Sequence, residues 1–351
     1  MKRYVNRYFM LLGMIILLGS CEDEIQKVEL AKVDVEDPTA VQSLEFDVQL
    51  EENVEVKVGD VVHFDISGNA DLIDFYSGAF GNAYAYKDQD RFYDVLANLS
   101  FRSATAPDNS TPDNWKPAEL RYSTDFNGDR SSPDAYASVK AATWIPITGR
   151  FKLPPGDEAP KSIAVYVDSE VADISDIFEG GGPVYLAWHC TTQAESARAQ
   201  FRVIGSSIQG VVIDNAALSE ELYTQGQLDF QWVLNPAAAD QPASFLPLMS
   251  STQLQWHGVF NNRSTNTTPA QQHPLLGQFK EGYAISAPLE LPQFNAGKDK
   301  PTLLVPKNDG TWSTHEFIYT RAGVYEVVFI AARKNTNDEP ITKTLTVTVT
   351  E

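Results

Sequence analysis

Apolar and polar residues alternate with a period of two near both ends of the chain. Near the N-terminal end the pattern covers residues 44–50, 54–58 and 61–66, and near the C-terminal end it covers residues 323–330 and 344–350. Successive side chains of a strand point to opposite faces of its sheet, so this period predicts antiparallel strands with one buried face.

The middle of the chain carries further short runs of strand-forming residues. We predict strands at residues 99–102, 120–123, 144–147, 162–167, 184–188 and 200–204. Their spacing is typical of a jelly-roll sandwich. The best helical pattern is short, residues 215–225, and residues 103–118 and 233–277 are expected to be loops because they are rich in Pro, Asn, Thr, Ser and Gln. The sequence therefore predicts an all-β protein.

The two terminal sets of strands complement each other. Residues 58–65 resemble the opening of a PKD-like immunoglobulin sandwich, and residues 319–327 resemble its closing strands. Neither set has enough strands to bury a core alone. We therefore predict one split PKD/Ig-like sandwich, residues 44–90 and 301–351, with a jelly roll, residues 91–300, inserted between its halves. Two small separate sandwiches are the alternative.

The first 20 residues have the pattern of a signal peptide. Lys2, Arg3 and Arg7 precede an apolar run, residues 8–18, which is too short to span the roughly 30 Å hydrocarbon core. The run ends in Leu18-Gly19-Ser20-Cys21, which resembles a bacterial lipobox. We expect Cys21 to be lipidated and residues 21–43 to form a tether. An ordinary secretory peptide with a chance cysteine is the alternative.

The acidic residues 22–24, directly after Cys21, bear on location. They resemble the export signal of Bacteroidota lipoproteins that are displayed on the cell surface. We therefore expect the protein at the outer membrane, facing the cell exterior and held there only by its lipid. The alternative is that this acidic cluster is simply a solvated part of the tether.

The overall charge excludes some partners. The formal net charge is −20, from 27 Lys and Arg against 47 Asp and Glu. Binding to nucleic acid or to an anionic membrane surface needs basic patches, so neither class of partner is expected. Hydrophobic residues make up 43% of the chain, which is ample for a packed core.

Residues 68–78, residues 122–129 and residues 182–188 followed by 201–203 carry a family resemblance. Together they resemble a family of Bacteroidota surface lipoproteins with a domain of unknown function. The middle of that family is similar to the galactose-binding-like jelly rolls of polysaccharide-utilisation loci and adhesins. The resemblance implies a surface protein that binds oligosaccharide or polysaccharide beside a TonB-dependent importer. An adhesin-like or structural lipoprotein that binds proteins is the alternative.

Catalytic motifs are absent from the sequence. The five histidines are scattered without metal-ligand spacing, and no nucleophile elbow or phosphate-binding loop occurs. Cys190 follows a strand-like run and is predicted to be a buried small hydrophobe rather than a nucleophile. His189 does not form a dyad with it, because neighbours on a strand face opposite sides. We predict that the protein is not an enzyme.

One oxygen-rich segment is a weak candidate for calcium. Asp125, Asn127 and Asp129 lie close together, with Asp134 nearby, and calcium takes six to eight oxygen ligands. The alternative, which we favour, is a turn in which these side chains bond their own backbone. No other cofactor is expected.

Aromatic side chains can offer a flat face to a sugar ring. Trp144, Trp188 and Trp232 lie in strand-like runs and are predicted to be core residues. The candidates for glycan contact lie in polar contexts: Trp256, with Gln255 and His257 beside it, then Trp115 and Trp312. The alternative for each of these tryptophans is that it caps one end of a sandwich.

Overall fold

The computed structural model describes residues 43–50, 56–106, 118–154, 163–194, 200–213, 215–240, 246–257 and 278–351. The predicted all-β class is confirmed: these ranges contain 22 strands and two short α-helices. The strands up to the middle of the chain are β1 (Phe46–Leu50), β2 (Val56–Lys57), β3 (Val61–Gly68), β4 (Leu72–Tyr76), β5 (Arg91–Tyr93), β6 (Val95–Ala106), β7 (Ala118–Ser123), β8 (Ile145–Pro146), β9 (Val167–Asp168), β10 (Ala172–Asp173) and β11 (Tyr185–Thr192).

The remaining strands are β12 (Gln200–Val212), β13 (Ser219–Tyr223), β14 (Gln231–Leu234), β15 (Leu248–Met249), β16 (Gln253–His257), β17 (Lys280–Ile285), β18 (Phe294–Gly297), β19 (Thr302–Leu304), β20 (His315–Ile318), β21 (Gly323–Ala332) and β22 (Ile341–Thr350). The helices are α1 (Ala135–Ala141) and α2 (Pro236–Ala239). Three short 3₁₀ segments lie at Tyr84–Tyr86, Thr148–Arg150 and Ser175–Phe178.

Strands from both ends of the chain share two sheets, which we call the terminal sandwich. One sheet has the order β1-β3-β20 and the other β19-β4-β21-β22-β2. Phe75 of β4 lies opposite Phe329 of β21 in the register, and Phe64 of β3 lies opposite His315 of β20. The rings of Phe64 and Phe75 lie 5.4 and 4.9 Å from that of Phe329. The N-terminal strands therefore share one core with the C-terminal strands.

The local pattern explains why β3 takes its place in this sandwich. Val62, Phe64 and Ile66 are buried, whereas His63 and Asp65, which alternate with them, are not. This is the period of two that the sequence shows, with its apolar face turned to the core.

A second pair of sheets, the central sandwich, occupies the middle of the chain. One sheet has the order β10-β6-β12-β16-β15, with β13 also paired to β12 and β9 to β6, and the other has the order β14-β17-β11-β7-β8. Its core contains Phe101, Trp188 and Phe201, whose rings lie 5.0 and 5.1 Å apart in that order.

Helix α1 covers the outer face of the β14-β17-β11-β7-β8 sheet of the central sandwich. Val139 of the helix is fully buried with Tyr185 of β11 and Tyr283 of β17, and Phe126 completes the cluster. Because this sheet is covered on both faces, every residue of β17 is buried. The side chains that β17 presents to the helix are therefore held in a largely dry environment.

Several sequence expectations about elements are wrong. Residues 215–225 do not form a helix but contain strand β13, which pairs with β12. Residues 103–106 and 253–257 are strands rather than loops, and residues 163–166 are not a strand. The helical signal here was weak, because it consisted of Leu218 and Leu222, four positions apart. Cross-strand pairing overrides it.

The expected signal peptide, lipidated Cys21, acidic residues 22–24 and nearly all of the tether lie outside the described residues. In the part of the chain that the structure describes, no helix combines the length and apolar character that crossing a membrane requires.

Candidate functional site

Trp256 is part of the core and not a surface platform. Its side chain is 1% exposed, and its indole N–H donates to Thr192 Oγ1 at 3.0 Å. Its ring packs on Gly282, where an added Cβ would lie 2.6 Å from the ring. The expectation that Trp256 meets a sugar is therefore wrong, because a buried ring cannot stack on a solvent-borne ligand.

The other residues predicted around Trp256 are not brought together into an open site. Gln255 is 2% exposed, and its Oε1 accepts bonds from Arg202 Nε at 2.9 Å and Nη2 at 2.6 Å. His257 ends β16, and its side chain is outside the description, as is the whole of Trp115. The prediction that Gln255 contacts glycan is wrong for the same reason as for Trp256.

Trp312 lies in the terminal sandwich, whereas Trp256 belongs to the core of the central sandwich. It is partly buried, and its indole N–H donates to the carbonyl of Ala70 at 3.0 Å. Together with His315, Leu303 and Val305 it lines a small pocket of about 220 Å³. Trp312 therefore borders a pocket in the part of the chain that the structure describes, whereas Trp256 is buried in the core.

Among the tryptophans predicted to be core residues, Trp188 is confirmed as fully buried. Trp144 and Trp232 are partly buried and pack at the margins of clusters. Their indole N–H groups donate to the carbonyls of Val139 and Leu248, respectively.

The oxygen-rich segment forms a hydrogen-bonded turn. Asp125 Oδ1 accepts bonds from Ser123 Oγ and from the Thr143 backbone N–H, both at 2.8 Å. Asp129 accepts from Ser132, and Asn127 Oδ1 accepts from the Asp129 N–H. Hydrogen bonds from Thr143, its side chain first and then its backbone N–H, lower the pKa of Asp125, and bonds from Ser132 lower the pKa of Asp129. Nowhere in the described ranges do three His, Cys, Asp or Glu side chains group so that they could hold a metal.

A polar cluster lies between helix α1 and the β14-β17-β11-β7-β8 sheet. Glu281 of β17 accepts hydrogen bonds from Tyr136, from His189 Nε2 at 2.8 Å and from Tyr283 at 3.2 Å, and Lys140 lies 3.3 Å away. Burial alone would raise the pKa of Glu281, but these donors together lower it. Burial lowers the pKa of His189, so the imidazole is neutral at pH 7.

Cys190 is fully buried, and burial raises the pKa of its thiol. His189 faces the opposite side of the sheet, where its ring stacks on Tyr283 with 4.4 Å between centroids. The expectation that Cys190 is a buried small hydrophobe is confirmed.

An aromatic cleft lies where the terminal sandwich meets the central one. We call it the junction cleft; its volume is about 320 Å³, and its lining residues are Ala79, Phe80, Asn215, Phe317, Ile318, Tyr319, Thr320, Arg321 and Tyr325. This volume falls within the range of small-ligand sites, about 300–1,000 Å³. Three distant parts of the chain converge here, so the junction cleft exists only in the folded protein.

The rings of the junction cleft are held in place by their neighbours. Tyr319 donates its hydroxyl to the carbonyl of Ser77 at 2.8 Å, and its ring centroid lies 4.8 Å from that of Phe317 and 4.2 Å from that of Tyr325. Burial raises the pKa of Tyr319, so its hydroxyl stays protonated. Phe317 and Tyr325 are only partly buried and offer ring surface to a ligand.

Phe80, on the other side of the junction cleft, is fixed by the connection between the sandwiches. Its ring stacks on Tyr93 at 4.1 Å between centroids, and the guanidinium of Arg91 lies 5.7 Å from the ring centroid. Arg91 in turn pairs with the buried carboxylate of Asp299 at 2.9 Å. A ring supported in this way loses little freedom when a ligand stacks on it.

Polar groups border the aromatic surface. Asn215 Oδ1 accepts a bond from the Ala217 N–H at 3.3 Å, which leaves its amide nitrogen as the donor. Thr320 adds a hydroxyl and Arg321 a guanidinium. These residues were not predicted from the sequence. The available signal was the aromatic-rich run Phe317-Ile318-Tyr319, which begins in β20 and in which two rings fall on one face.

Comparison with known protein families identifies one family whose model matches this chain. A family model described as DUF5017, a domain of unknown function, matches residues 36–219, just over half of the chain. The chain belongs to the DUF5017 family. Its description names no ligand and no activity. The DUF5017 match ends before β14, so β3 and β4 lie within it while their partners β20 and β21 lie beyond it.

Neither the curated proteins nor the solved structures contain a match to this DUF5017 chain.

Proposed function

We propose that the protein is an outer-membrane surface lipoprotein that binds a neutral oligosaccharide in the junction cleft. The observation that carries the proposal is the combination of partly exposed rings with amide and hydroxyl groups around one volume of about 320 Å³. Sugars present both an apolar C–H face and a rim of hydroxyls. A cleft that recognises them needs ring surface and hydrogen-bonding groups together.

The charge of the chain supports a neutral ligand. The formal net charge is −20, and a polyanionic glycan would be repelled over distances that salt only partly screens. Arg321 is the single charged side chain among the residues that line the junction cleft, which is too little to reverse this.

The lipobox-like sequence and the acidic residues 22–24 support the location. A lipid on Cys21 would hold the two sandwiches at the outer surface of a Bacteroidota-type outer membrane. There the protein would hold oligosaccharide beside a TonB-dependent importer of a polysaccharide-utilisation system. No catalysis is proposed.

Tyr325→Ala is expected to weaken oligosaccharide binding about ten- to a hundredfold. The reason is that one aromatic ring stacked on a sugar, together with the hydrogen bonds to the hydroxyls around that sugar, contributes about 1–3 kcal/mol to binding. Tyr325→Phe keeps the ring and should bind nearly as wild type. Isothermal titration with a panel of neutral oligosaccharides measures both variants. Phe92, an aromatic residue that is 53% exposed and lies outside the junction cleft, provides the control substitution Phe92→Ala.

Two results would count against the proposal: no neutral glycan binds the wild type, or Tyr325→Ala binds as tightly as Phe92→Ala. The adhesin-like alternative would then gain weight. It has its own observation, since Leu303, Val305 and Val324 of the terminal sandwich are 60%, 62% and 72% exposed. Exposed apolar side chains are a feature of protein-binding surfaces where they form a contiguous patch.

Cys21→Ala is expected to release the protein from the membrane fraction, because the lipid supplies the whole anchor. Separation of membrane and soluble fractions tests this directly. Protease added to intact cells should degrade the wild type. Complete protection in intact cells, with degradation after lysis, would contradict the surface location but not the lipidation.

A further inference from the structure

The large sheet of the central sandwich is interrupted along one edge of β12. On one side β12 pairs with β6 over nearly its whole length. On the other side it pairs with β16 through Gln200–Ile204 and then with β13 from Ile208 onward. Between these partners, no strand in the part of the chain that the structure describes lies beside residues 205–207 on this side, and the register with β6 shifts here. We call this interruption the sheet gap.

The sheet gap opens into a pocket of about 610 Å³, lined by Ile204, Gly205, Thr224, Gln225, Gly226, Ser251, Thr252 and Gln253. Gly205 has a φ of +62°, which lets the backbone turn away from the ladder. The turns that close the sheet gap are internally bonded: Gln227 Oε1 accepts the Thr224 N–H at 2.9 Å, and Ser250 N–H donates to the Gln253 carbonyl at 2.8 Å. These bonds hold the turns that border the pocket in place.

The lining of the sheet gap is polar but uncharged. Its side chains are hydroxyls and amides, with Ile204 as the single large apolar side chain and with bare backbone at the two glycines. A charged ligand would find no counter-ion among these residues, whereas the hydroxyl and amide groups are interspersed with exposed apolar carbons of the same side chains and of the backbone. Neutral ligands that carry many hydroxyls match this lining.

One polar side chain at the sheet gap has unused hydrogen-bonding capacity. Gln225 is 8% exposed, and its Oε1 accepts the Ser206 backbone N–H at 2.9 Å. A backbone N–H can only donate, so this bond fixes the orientation of the amide. Within the described structure, Gln225 Nε2 and the buried Ser206 Oγ have no hydrogen-bond partner. Leaving such buried groups unpaired is unfavourable.

We propose that the sheet gap is a second binding site, for a neutral saccharide unit. The ligand hydroxyls would bond Thr224, Thr252 and Gln253, and one would accept a bond from Gln225 Nε2. That nitrogen is buried although Gln225 lines the pocket, so contact requires a displacement of the Gln225 side chain.

The sheet gap is separate from the junction cleft. Asn215 of the cleft precedes β13 and Gln225 follows it, and a five-residue strand spans about 17 Å. One saccharide unit cannot fill both sites, and the sheet gap stands whether or not the junction cleft binds glycan.

The test uses the full chain carrying Tyr325→Ala, which removes the ring surface of the junction cleft. Glucose, galactose and mannose are titrated, with glucuronate as the charged counterpart, and binding is followed by NMR. We expect at least one neutral sugar to bind and glucuronate to bind at least tenfold more weakly. Gln225→Glu keeps the acceptor for Ser206 but replaces the donor, so it should weaken binding at least tenfold.

Gln227→Glu is the matched control. Gln227 lies in the same turn, is exposed and also accepts a backbone N–H, but it does not line the sheet gap. It should leave binding unchanged. If Gln225→Glu fails to fold, Thr252→Tyr decides, since this exposed turn position can fill the pocket with a larger side chain.

The proposal is overturned if none of the neutral sugars binds the Tyr325→Ala protein more tightly than about 10 mM, a free energy near −3 kcal/mol. It is also overturned if Gln225→Glu, or Thr252→Tyr where Gln225→Glu does not fold, binds sugar as tightly as the Tyr325→Ala protein into which it is introduced. The same holds if Gln227→Glu weakens binding as much as Gln225→Glu. Binding to the Tyr325→Ala protein that is lost in Gln225→Glu supports the sheet gap even where the junction cleft proves empty.

Discussion

Removing residues 301–351 is expected to unfold residues 43–90, because the two segments share sheets. Strand β4 would lose both neighbours, β19 and β21, and β3 would lose β20. The removed segment also contributes six fully or nearly fully buried residues to that core: Tyr319, Val327, Phe329, Ala331, Val347 and Val349. Each large apolar side chain contributes about 1.5–3 kcal/mol on burial, so the loss approaches the whole stability of a domain, about 5–15 kcal/mol.

Limited proteolysis with mass spectrometry measures this effect. In the truncated protein, new cuts are expected within residues 56–76, which the full chain protects. The central sandwich keeps its own two sheets and should resist cleavage in both proteins, which makes it an internal control. Continued protection of residues 56–76 after truncation would show that the N-terminal strands form a core without the C-terminal ones.

Glu281→Leu is expected to lower the free energy of unfolding by about 3 kcal/mol or more. The carboxylate is the shared acceptor for Tyr136, His189 and Tyr283, and its removal leaves buried donors without a partner. Urea unfolding followed by tryptophan fluorescence should show a lower midpoint with an unchanged slope.

Two further variants separate the buried cluster from a general effect of losing a carboxylate. Tyr136→Phe removes one donor and should cost about 1 kcal/mol. Glu220→Leu changes an exposed glutamate on β13 and should shift stability by less than about 0.5 kcal/mol. A Glu281→Leu midpoint equal to that of Glu220→Leu would mean that the cluster adds no stability.

The fold could be predicted largely because strand alternation is a local property. In β3 and β22 the side chains that face the core are the same ones that recur at every second position of the sequence. The burial of Trp256 could have been predicted from the same alternation. Gln253-Leu254-Gln255-Trp256-His257 alternates in the same way and places Trp256 on the apolar face with Leu254. The polar neighbours of Trp256 lie on the opposite face of a strand, and their presence did not indicate a loop.

The binding sites could not be predicted in this way, because they depend on which strands pair. Phe80, Asn215 and Tyr325 are separated by more than a hundred residues at each step, and they meet only after β4 pairs with β21 and the central sandwich docks beside them. The sheet gap likewise exists because β12 changes partner from β16 to β13. Alternation along a strand determines which face is buried, whereas long-range pairing determines which side chains become neighbours, and pairing is a property of the whole folded chain.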